Sequence, residues 1–252
     1  MKGKLVSAAG AHLRRQVRFR FSVGAPSQTR LVQLLSMQGY LPLRFRPAHR
    51  HRWTSVADQT ALFAPPAGRL LFEPGWPGTL HTLWRHDPAA LVRGAVMAFE
   101  ASHRITMDGA VGPTVWGALE RAQERHQRSP VAYSYAIAAE SSPESLTVWH
   151  AGREVLHSLA NTGIPAAPTA FGTYPVYERL QSQVMKGTNP DGSHYADPVS
   201  WVAYFHGGDA VHYFPRSSFG YPQSLGCVEL PYPAAQTAWG YLTYGTLVTV
   251  AP

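Results

Sequence analysis

The sequence predicts an α+β protein in which a small three-helix module precedes a mostly β domain. In the first half, apolar residues recur at helical spacing, whereas the second half consists of short strand-like runs separated by glycine, asparagine and aspartate turns. A polar and charged stretch, Arg121–Pro130, lies between them and is a candidate linker. Because 252 residues are enough for two ordinary domains, we expect a helical domain at residues 28–122 and a β domain at residues 131–252.

Three helices are predicted in the first half. The first has a leucine-rich face over residues 31–37 and ends before Gly39, because glycine is common just after a helix C-terminus. The second begins at Pro88 and the third at Pro113, since proline fits the first turn of a helix. Residues 44–85 contain five prolines and three tryptophans. We expect a large ordered loop there, because exposing so many aromatic rings would be costly.

Turn residues define the strands of the second half. Hairpins are indicated where two β-rich runs flank a short glycine-containing turn, and the last strand is rich in β-branched residues. We expect these strands to form two packed sheets around a concave site at Cys227. The predicted strands and turns are Ser145–His150 and Arg153–Leu159 around Ala151-Gly152, the turn Asn189–Gly192, Trp201–Phe205 and Ala210–Phe214 around His206–Asp209, and the strand Thr246–Val250.

Charge and hydropathy limit the possible partners. Lys and Arg number 22 against 15 Asp and Glu, and the resulting pI of 9.7 favours an anionic partner without choosing among nucleic acid, a membrane surface and an acidic cell-wall polymer. No nucleic-acid motif is evident, so we expect no nucleic-acid partner. No stretch approaches the roughly 18 apolar residues of a membrane-spanning helix. The apolar run Leu5–Ala11 is only a marginal match to a secretion signal, which leaves the secretion route open.

Cys227 is the only cysteine, which excludes an internal disulfide and a Cys-rich zinc site. It follows Gly226 in a turn after the proline-rich loop Pro215–Gln223. Such a turn can present a nucleophile, and the backbone N–H groups of Leu225, Gly226 and Cys227 are candidate donors of an oxyanion hole. The hydroxyl of Ser224 is a candidate for holding the turn or the thiolate. The alternative interpretation is a buried structural thiol.

A cysteine nucleophile needs a base, because a free thiol is only a few per cent ionised at neutral pH. His212, on a predicted strand, is our candidate, and His206, in the preceding turn, is its rival. Because the chain contains 12 histidines, a nearby histidine alone proves little.

A metallopeptidase is the competing class, since His194, Asp197 and Asp209 lie close in sequence to both histidines. If Gly207-Gly208 is a two-residue turn, His212 pairs opposite Ala203. His206 then lies roughly 10 Å along the strand, too far for both histidines to bind one zinc ion. We therefore expect no metal and no cofactor.

The context of Cys227 resembles a known family. Residues 204–230 look like the signature of the L,D-transpeptidases (YkuD-type catalytic domain), in which a histidine precedes the cysteine of a Ser-x-Gly-Cys turn by about fifteen residues, as His212 precedes Cys227. The resemblance covers about residues 133–250. Further blocks resemble the family in the same order: Asn161-Thr162-Gly163, Pro168–Tyr174 and Gly245–Val248.

The first half resembles the three-helix peptidoglycan-binding module. The similar blocks are Leu34–Tyr40, Gly94–Phe99 and Met107–Trp116, the last carrying the Asp-Gly-x-Val-Gly-Pro-x-x-Trp pattern. Residues 44–85 are a longer insertion than this module usually has.

The resemblance implies a reaction and a place for it. Cys227 would attack the peptide bond before the terminal D-alanine of a tetrapeptide stem, release D-alanine, and pass the acyl group to a diaminopimelate amine as a 3–3 cross-link. The implied partners are peptidoglycan stem peptides and glycan, at an extracytoplasmic location in the cell wall. Three residues depart from the family pattern: Leu225 stands where histidine is common, Tyr213 where glycine or serine is usual, and Glu229 where arginine or asparagine is common. A catalytically impaired peptidoglycan-binding protein and an L,D-carboxypeptidase remain alternatives.

Overall fold

The computed structural model describes residues 26–49 and 60–252. The apolar run Leu5–Ala11 and the middle of the 44–85 insertion lie outside the described residues. Within the described part of the chain, no helix is long and apolar enough to cross a membrane.

The helical half confirms the three predicted helices and adds further elements. The expectation of one large loop over residues 44–85 is wrong in its described part, because this segment contains an antiparallel hairpin and an additional helix. The described part of this half thus contains helix α2 in addition to the three predicted helices. They are α1 Gln28–Met37, β1 Leu43–Pro47, β2 Gly68–Phe72, α2 Gly78–His86, α3 Pro88–His103 and α4 Pro113–Glu124.

The sequence did not predict the β1–β2 hairpin because arginines interrupt the apolar residues of β1. Strand β1 alternates Arg44 and Arg46 with apolar residues, so one face is charged and exposed while Leu43 is buried. This is the period-two pattern of a half-buried strand. The start of the candidate linker is also regular structure, since residues 121–124 are the last turn of α4.

The β half contains two sheets, as expected. One has four strands in the order β10-β9-β8-β7, and the other has five in the order β5-β4-β3-β11-β6. The two sheets pack through a core that includes Val148, Val211 and Val248. The elements are β3 Ser134–Ala139, β4 Ser145–His150, β5 Arg153–Leu159, β6 Gly172–Pro175, β7 Glu178–Thr188, β8 His194–His206, β9 Asp209–Tyr213, β10 Val228–Leu230, α5 Tyr232–Tyr241 and β11 Leu247–Ala251.

The predicted pairing of His212 with Ala203 is wrong. Ala203 pairs with Val211, and the register between β8 and β9 shifts between Ser200 and Ala203. Trp201 lies in this irregular stretch with a φ of 60°, a conformation that bulky residues rarely adopt. A bulge of this kind adds a residue to one strand, and the turn residues alone do not reveal it.

The helical half and the five-stranded sheet share one hydrophobic core. Tyr135 of β3 and Leu247 of β11 are fully buried in the cluster formed by the helices. The backbones also approach closely at Gly94 and Gly245, where a Cβ on Gly245 would lie 2.1 Å from the Gly94 carbonyl oxygen. His212 lies on β9 and Cys227 directly precedes β10, so the site belongs to the four-stranded sheet, whereas the helices of the helical half pack against the five-stranded sheet.

Candidate active site

The turn that carries Cys227 is held by its own serine. The Ser224 hydroxyl donates to the Cys227 carbonyl oxygen at 2.6 Å and accepts from the Gly226 N–H at 3.2 Å. Gly226 has a φ of 113°, and a Cβ there would lie 2.5 Å from Oδ1 of Asp209, so glycine is required. Because Ser224 engages the Gly226 N–H, Leu225 and Cys227 are the better remaining candidates for oxyanion donors.

A second segment, residues 161–163, holds this turn in place through backbone pairing. Gly163 forms an isolated β-bridge with Ser224, and Asn161 forms one with Glu229. The segment therefore pairs with the chain both before and after Cys227. The carboxylate of Glu144 accepts both the Thr162 N–H at 2.6 Å and the Thr162 hydroxyl at 2.9 Å, and both side chains are buried. The Asn161-Thr162-Gly163 block noted in the sequence thus positions the cysteine turn.

His212 lies on β9, the strand that runs parallel to the strand after the cysteine. Its register partner is Glu229, and both residues line the cleft that contains Cys227. Nδ1 of His212 lies 3.0 Å from the Tyr213 carbonyl oxygen. A carbonyl only accepts hydrogen bonds, so Nδ1 carries the proton in the neutral ring and Nε2 is left to accept one.

The thiol and the imidazole are both shifted toward their neutral forms. Burial raises the pKa of Cys227 to about 12, with Asp209 and Glu229 adding to the rise and the Ala210 N–H opposing it. Burial also lowers the pKa of His212, opposed by the Tyr213 carbonyl and by Glu229. These directions favour a neutral thiol and a neutral imidazole at rest over a thiolate–imidazolium pair, so proton transfer accompanies attack.

The cleft in front of Cys227 has a volume of about 1030 Å³. One wall is the long β7–β8 hairpin, which contributes Tyr195 and Tyr204, and the Tyr204 hydroxyl is hydrogen-bonded to Gln183. The opposite wall is the cysteine turn. A cleft of this size accommodates an extended peptide substrate. Five charged side chains line it: Lys186, Asp197, Asp209, Arg216 and Glu229.

His206 occupies a different position from His212. Its side chain is 47% exposed, and Nδ1 lies 3.7 Å from Asp209 Oδ2. Its ring centroid lies 4.2 Å from that of Tyr174, so the residue packs at the rim of the hairpin turn. Across residues 26–49 and 60–252, no group of three or more His, Cys, Asp or Glu side chains is arranged to hold a metal ion.

Sequence reasoning missed two parts of the site. It noted Glu229 only as a departure from a family pattern, and it did not single out Arg216, with which Glu229 forms a salt bridge at 2.7 Å. The sequence signal was an acidic and a basic residue flanking the cysteine turn, thirteen positions apart. Asp209 was noted as a possible metal ligand, whereas the structure places it beneath Gly226.

A cysteine on a constrained turn, in one cleft with a buried histidine of fixed tautomer, is an arrangement typical of cysteine-dependent acyl-transfer enzymes. Residues 134–250 match the family model of YkuD, the L,D-transpeptidase catalytic domain. This part of the chain is therefore similar to L,D-transpeptidase (YkuD) catalytic domains. The match begins at residue 134 and does not include the helical half.

Comparisons with other proteins give similarities over part of the chain. No curated protein matches. Similar solved structures include the L,D-transpeptidase LdtMt1 in complex with imipenem, 25% identical over 46% of this chain and 58% of that one, with a TM-score of 0.43. An L,D-transpeptidase from Mycobacterium smegmatis is 24% identical with the same coverages and TM-score. The catalytic domain of an E. faecium L,D-transpeptidase is 24% identical over 46% of this chain and 95% of that one, with a TM-score of 0.43. The match thus spans less than two thirds of the first two of these chains.

Proposed function

We propose that this protein is a cysteine-dependent peptidoglycan L,D-transpeptidase that forms 3–3 cross-links. The observation that supports it most is the pairing of β9 with β10. This pairing brings His212 and Cys227 to one cleft inside the part of the chain that matches the L,D-transpeptidase catalytic domain.

The first half of the reaction is acylation of Cys227. As the sulfur attacks the carbonyl carbon before the terminal D-alanine, the thiol proton passes to Nε2 of His212. The oxyanion forms beside the N–H groups of Leu225 and Cys227, each such donor contributing about 3–4 kcal/mol to the transition state. The C–N bond then breaks, His212 returns the proton to the departing D-alanine amine, and a Cys227 thioester remains.

The second half transfers the acyl group. The side-chain amine of a diaminopimelate residue attacks the thioester carbonyl, and His212 takes a proton from that amine. A new peptide bond forms, the C–S bond breaks, and the proton returns to the sulfur of Cys227. Water in place of the amine would make the same site an L,D-carboxypeptidase.

The helical half is proposed to hold the protein on the cell wall. Residues 1–130 carry 18 Lys and Arg against 7 Asp and Glu, whereas residues 131–252 carry 4 against 8. The basic half therefore suits an anionic wall polymer, and the extracytoplasmic location follows from the proposed substrate.

Intact-mass analysis with a tetrapeptide muropeptide, and with a carbapenem as an acylating inhibitor, tests the proposal. We expect a covalent adduct that peptide mapping locates on Cys227, release of D-alanine, and a cross-linked product when a diaminopimelate acceptor is added. Cys227→Ser should lose the adduct and D-alanine release while its melting temperature changes by only a few degrees, since serine has nearly the same shape as cysteine.

The outcomes separate the alternatives. Release of D-alanine without a cross-linked product identifies an L,D-carboxypeptidase, and the absence of any adduct identifies a catalytically impaired binding protein. Loss of activity with a chelator, together with an active Cys227→Ser variant, would exclude the cysteine mechanism.

A further inference from the structure

We infer that the Arg216–Glu229 ion pair positions a carboxylate beside His212 and stabilises the imidazolium that forms when His212 holds the thiol proton. Glu229 is thereby a positioning residue for the base rather than a group that touches the substrate. This inference rests on the proposed function for its catalytic meaning, but its central claim concerns the charge of His212 and can be measured without turnover.

The ion pair has a fixed, two-bond geometry. Nε of Arg216 donates to Oε2 of Glu229 at 2.7 Å, and one terminal guanidinium nitrogen donates to Oε1 at 2.8 Å. The same terminal nitrogen donates to the Gln223 carbonyl oxygen at 3.1 Å, which ties the pair to the loop before the cysteine turn. The Glu229 side chain is only 6% exposed and that of Arg216 28%, so the carboxylate is held in one orientation and largely screened from water.

Strand register directs this carboxylate at the base more than at the nucleophile. Glu229 is the direct partner of His212 in the parallel β9–β10 pair, and neighbouring strands lie about 4.8 Å apart. Cys227 precedes Glu229 by two residues, which corresponds to about 6.6 Å along an extended strand. Glu229 raises the pKa of His212, whereas Arg216 acts on it in the opposite direction and less strongly. The pair therefore presents its negative end to the imidazole.

The proposed reaction needs this support because it charges a buried ring. His212 is 3% exposed, and a buried imidazolium without a neighbouring anion is unfavourable. A lone buried carboxylate would be equally unfavourable, and Arg216 offsets part of that cost by pairing with Glu229. The family that this part of the chain resembles commonly has arginine or asparagine at the position of Glu229. This chain therefore has a negative charge near its base, where the family has a positive charge or none.

The other charged groups of the cleft act elsewhere. Asp197 acts on Arg216, and Asp209 acts on Cys227, where its effect exceeds that of Glu229. Lys186 lies on β7, in the wall of the cleft that the β7–β8 hairpin forms. Neither Asp197, Asp209 nor Lys186 contributes to the shift of His212, so Glu229 is the carboxylate to change.

The test is an NMR titration of histidine-labelled protein, with the His212 signal assigned by its loss in His212→Gln. In Glu229→Gln we expect the His212 midpoint to fall by about one pH unit, the effect of removing one nearby opposite charge. The exchanged variant Glu229→Arg with Arg216→Glu retains an ion pair but turns its positive end to the ring, and its midpoint should fall at least as far. Glu154→Gln, an exposed carboxylate on β5, is the matched control and should leave the midpoint unchanged.

A purely structural ion pair gives a different pattern. In that case the exchanged variant restores both the melting temperature and the wild-type His212 midpoint, and the inference is overturned. An unmoved midpoint in Glu229→Gln, or a His212 that stays neutral in every variant including the wild type, also overturns it.

Activity forms a separate arm of the same experiment. In the active enzyme, the low-pH limb of kcat, where protonation of His212 removes the base, should move to lower pH together with the NMR midpoint. If the midpoint moves as expected while wild-type protein neither releases D-alanine nor forms an adduct, the proposed function fails and the electrostatic role of the pair stands.

Discussion

The side chain of His212 is prepared for proton transfer by its hydrogen bond rather than by its resting charge. The Tyr213 carbonyl holds the proton on Nδ1 and leaves Nε2 open, while burial keeps the ring neutral. Tyr213 departs from the family pattern, yet it supplies this contact through its backbone. The departure therefore does not remove the orienting partner of the base.

His212→Ala should lower turnover by about 10²–10⁴-fold, because it removes general-base assistance to Cys227 and general-acid assistance to the leaving amine. It should also raise the pH at which the thiol alkylates. His206→Ala should leave both properties nearly unchanged, since His206 is half-exposed and packs on Tyr174. D-alanine release and the pH dependence of Cys227 alkylation measure the two effects, and the reverse ranking would move the base to His206.

Individual site residues were predictable where their chemistry is rare. Cys227 is unique in the chain, and its fifteen-residue separation from His212 singled out one of 12 histidines. Arg216 offered no comparable signal, because charged residues are common and its significance depends on contact with Glu229 across the turn. The Gly226 N–H donates to Ser224 and so is not available as an oxyanion donor. This hydrogen bond depends on the conformation of the turn, which the sequence does not reveal.

At the scale of elements, the cysteine turn is held by a segment far from it in sequence. Thr162 accepts backbone hydrogen bonds from Ser224 and Gln223 while its own N–H and hydroxyl are bound by Glu144. The position of the nucleophile is thus set by a chain of contacts from β4 to the turn.

Thr162→Val should test this brace, because it removes the hydroxyl and retains nearly the same shape. One lost hydrogen bond to a buried carboxylate should cost about 1–3 kcal/mol of unfolding free energy, and a displaced turn should lower the rate of Cys227 acylation. Thr237→Val is the control, since Thr237 is exposed on α5 and bonds only to the nearby Pro233 carbonyl. Denaturant unfolding and intact-mass kinetics provide the measurements. Equal effects of the two variants would contradict the bracing role.

Elements with strong turn signals were predictable from the sequence. The hairpin around Ala151-Gly152 and the turn at Asn189 formed as expected. Helix α2 was missed because its apolar face is short and lies among prolines, and the β1–β2 hairpin was missed because arginines alternate along β1. At the shifted register, the Trp201 ring contacts the rings of Tyr232 and Trp239 on α5, and such long-range contacts are not visible in the local pattern.

For the whole molecule, the shared core indicates that the two halves stabilise each other. The sequence suggested a boundary at residues 121–130, but Tyr135 and Leu247 of the sheet are buried among the helices. The close approach of Gly94 and Gly245 fixes how α3 lies on the sheet. Two independently unfolding domains are therefore not expected.

Gly245→Ala should destabilise both halves together. The new Cβ would meet the Gly94 carbonyl oxygen at 2.1 Å, and the φ of 79° adds strain, so we expect a loss of about 2–4 kcal/mol. Gly240→Ala, where nothing lies within 4 Å, should change stability by less than about 1 kcal/mol. Far-UV circular dichroism and protection of Cys227 from alkylation should report one coincident transition. Separate transitions for the helices and the thiol would argue against a shared core.

The place of β11 has a consequence for how the protein is made. Strand β11 follows all the other described strands in sequence, yet it lies between β3 and β6 and is not an edge strand of the five-stranded sheet. Until the ribosome has released residues 247–251, β3 and β6 each lack a neighbour, and their unpaired edges are open to strands of other chains. The nascent protein thus has an interval in which these strand edges are unpaired and prone to pairing with other chains.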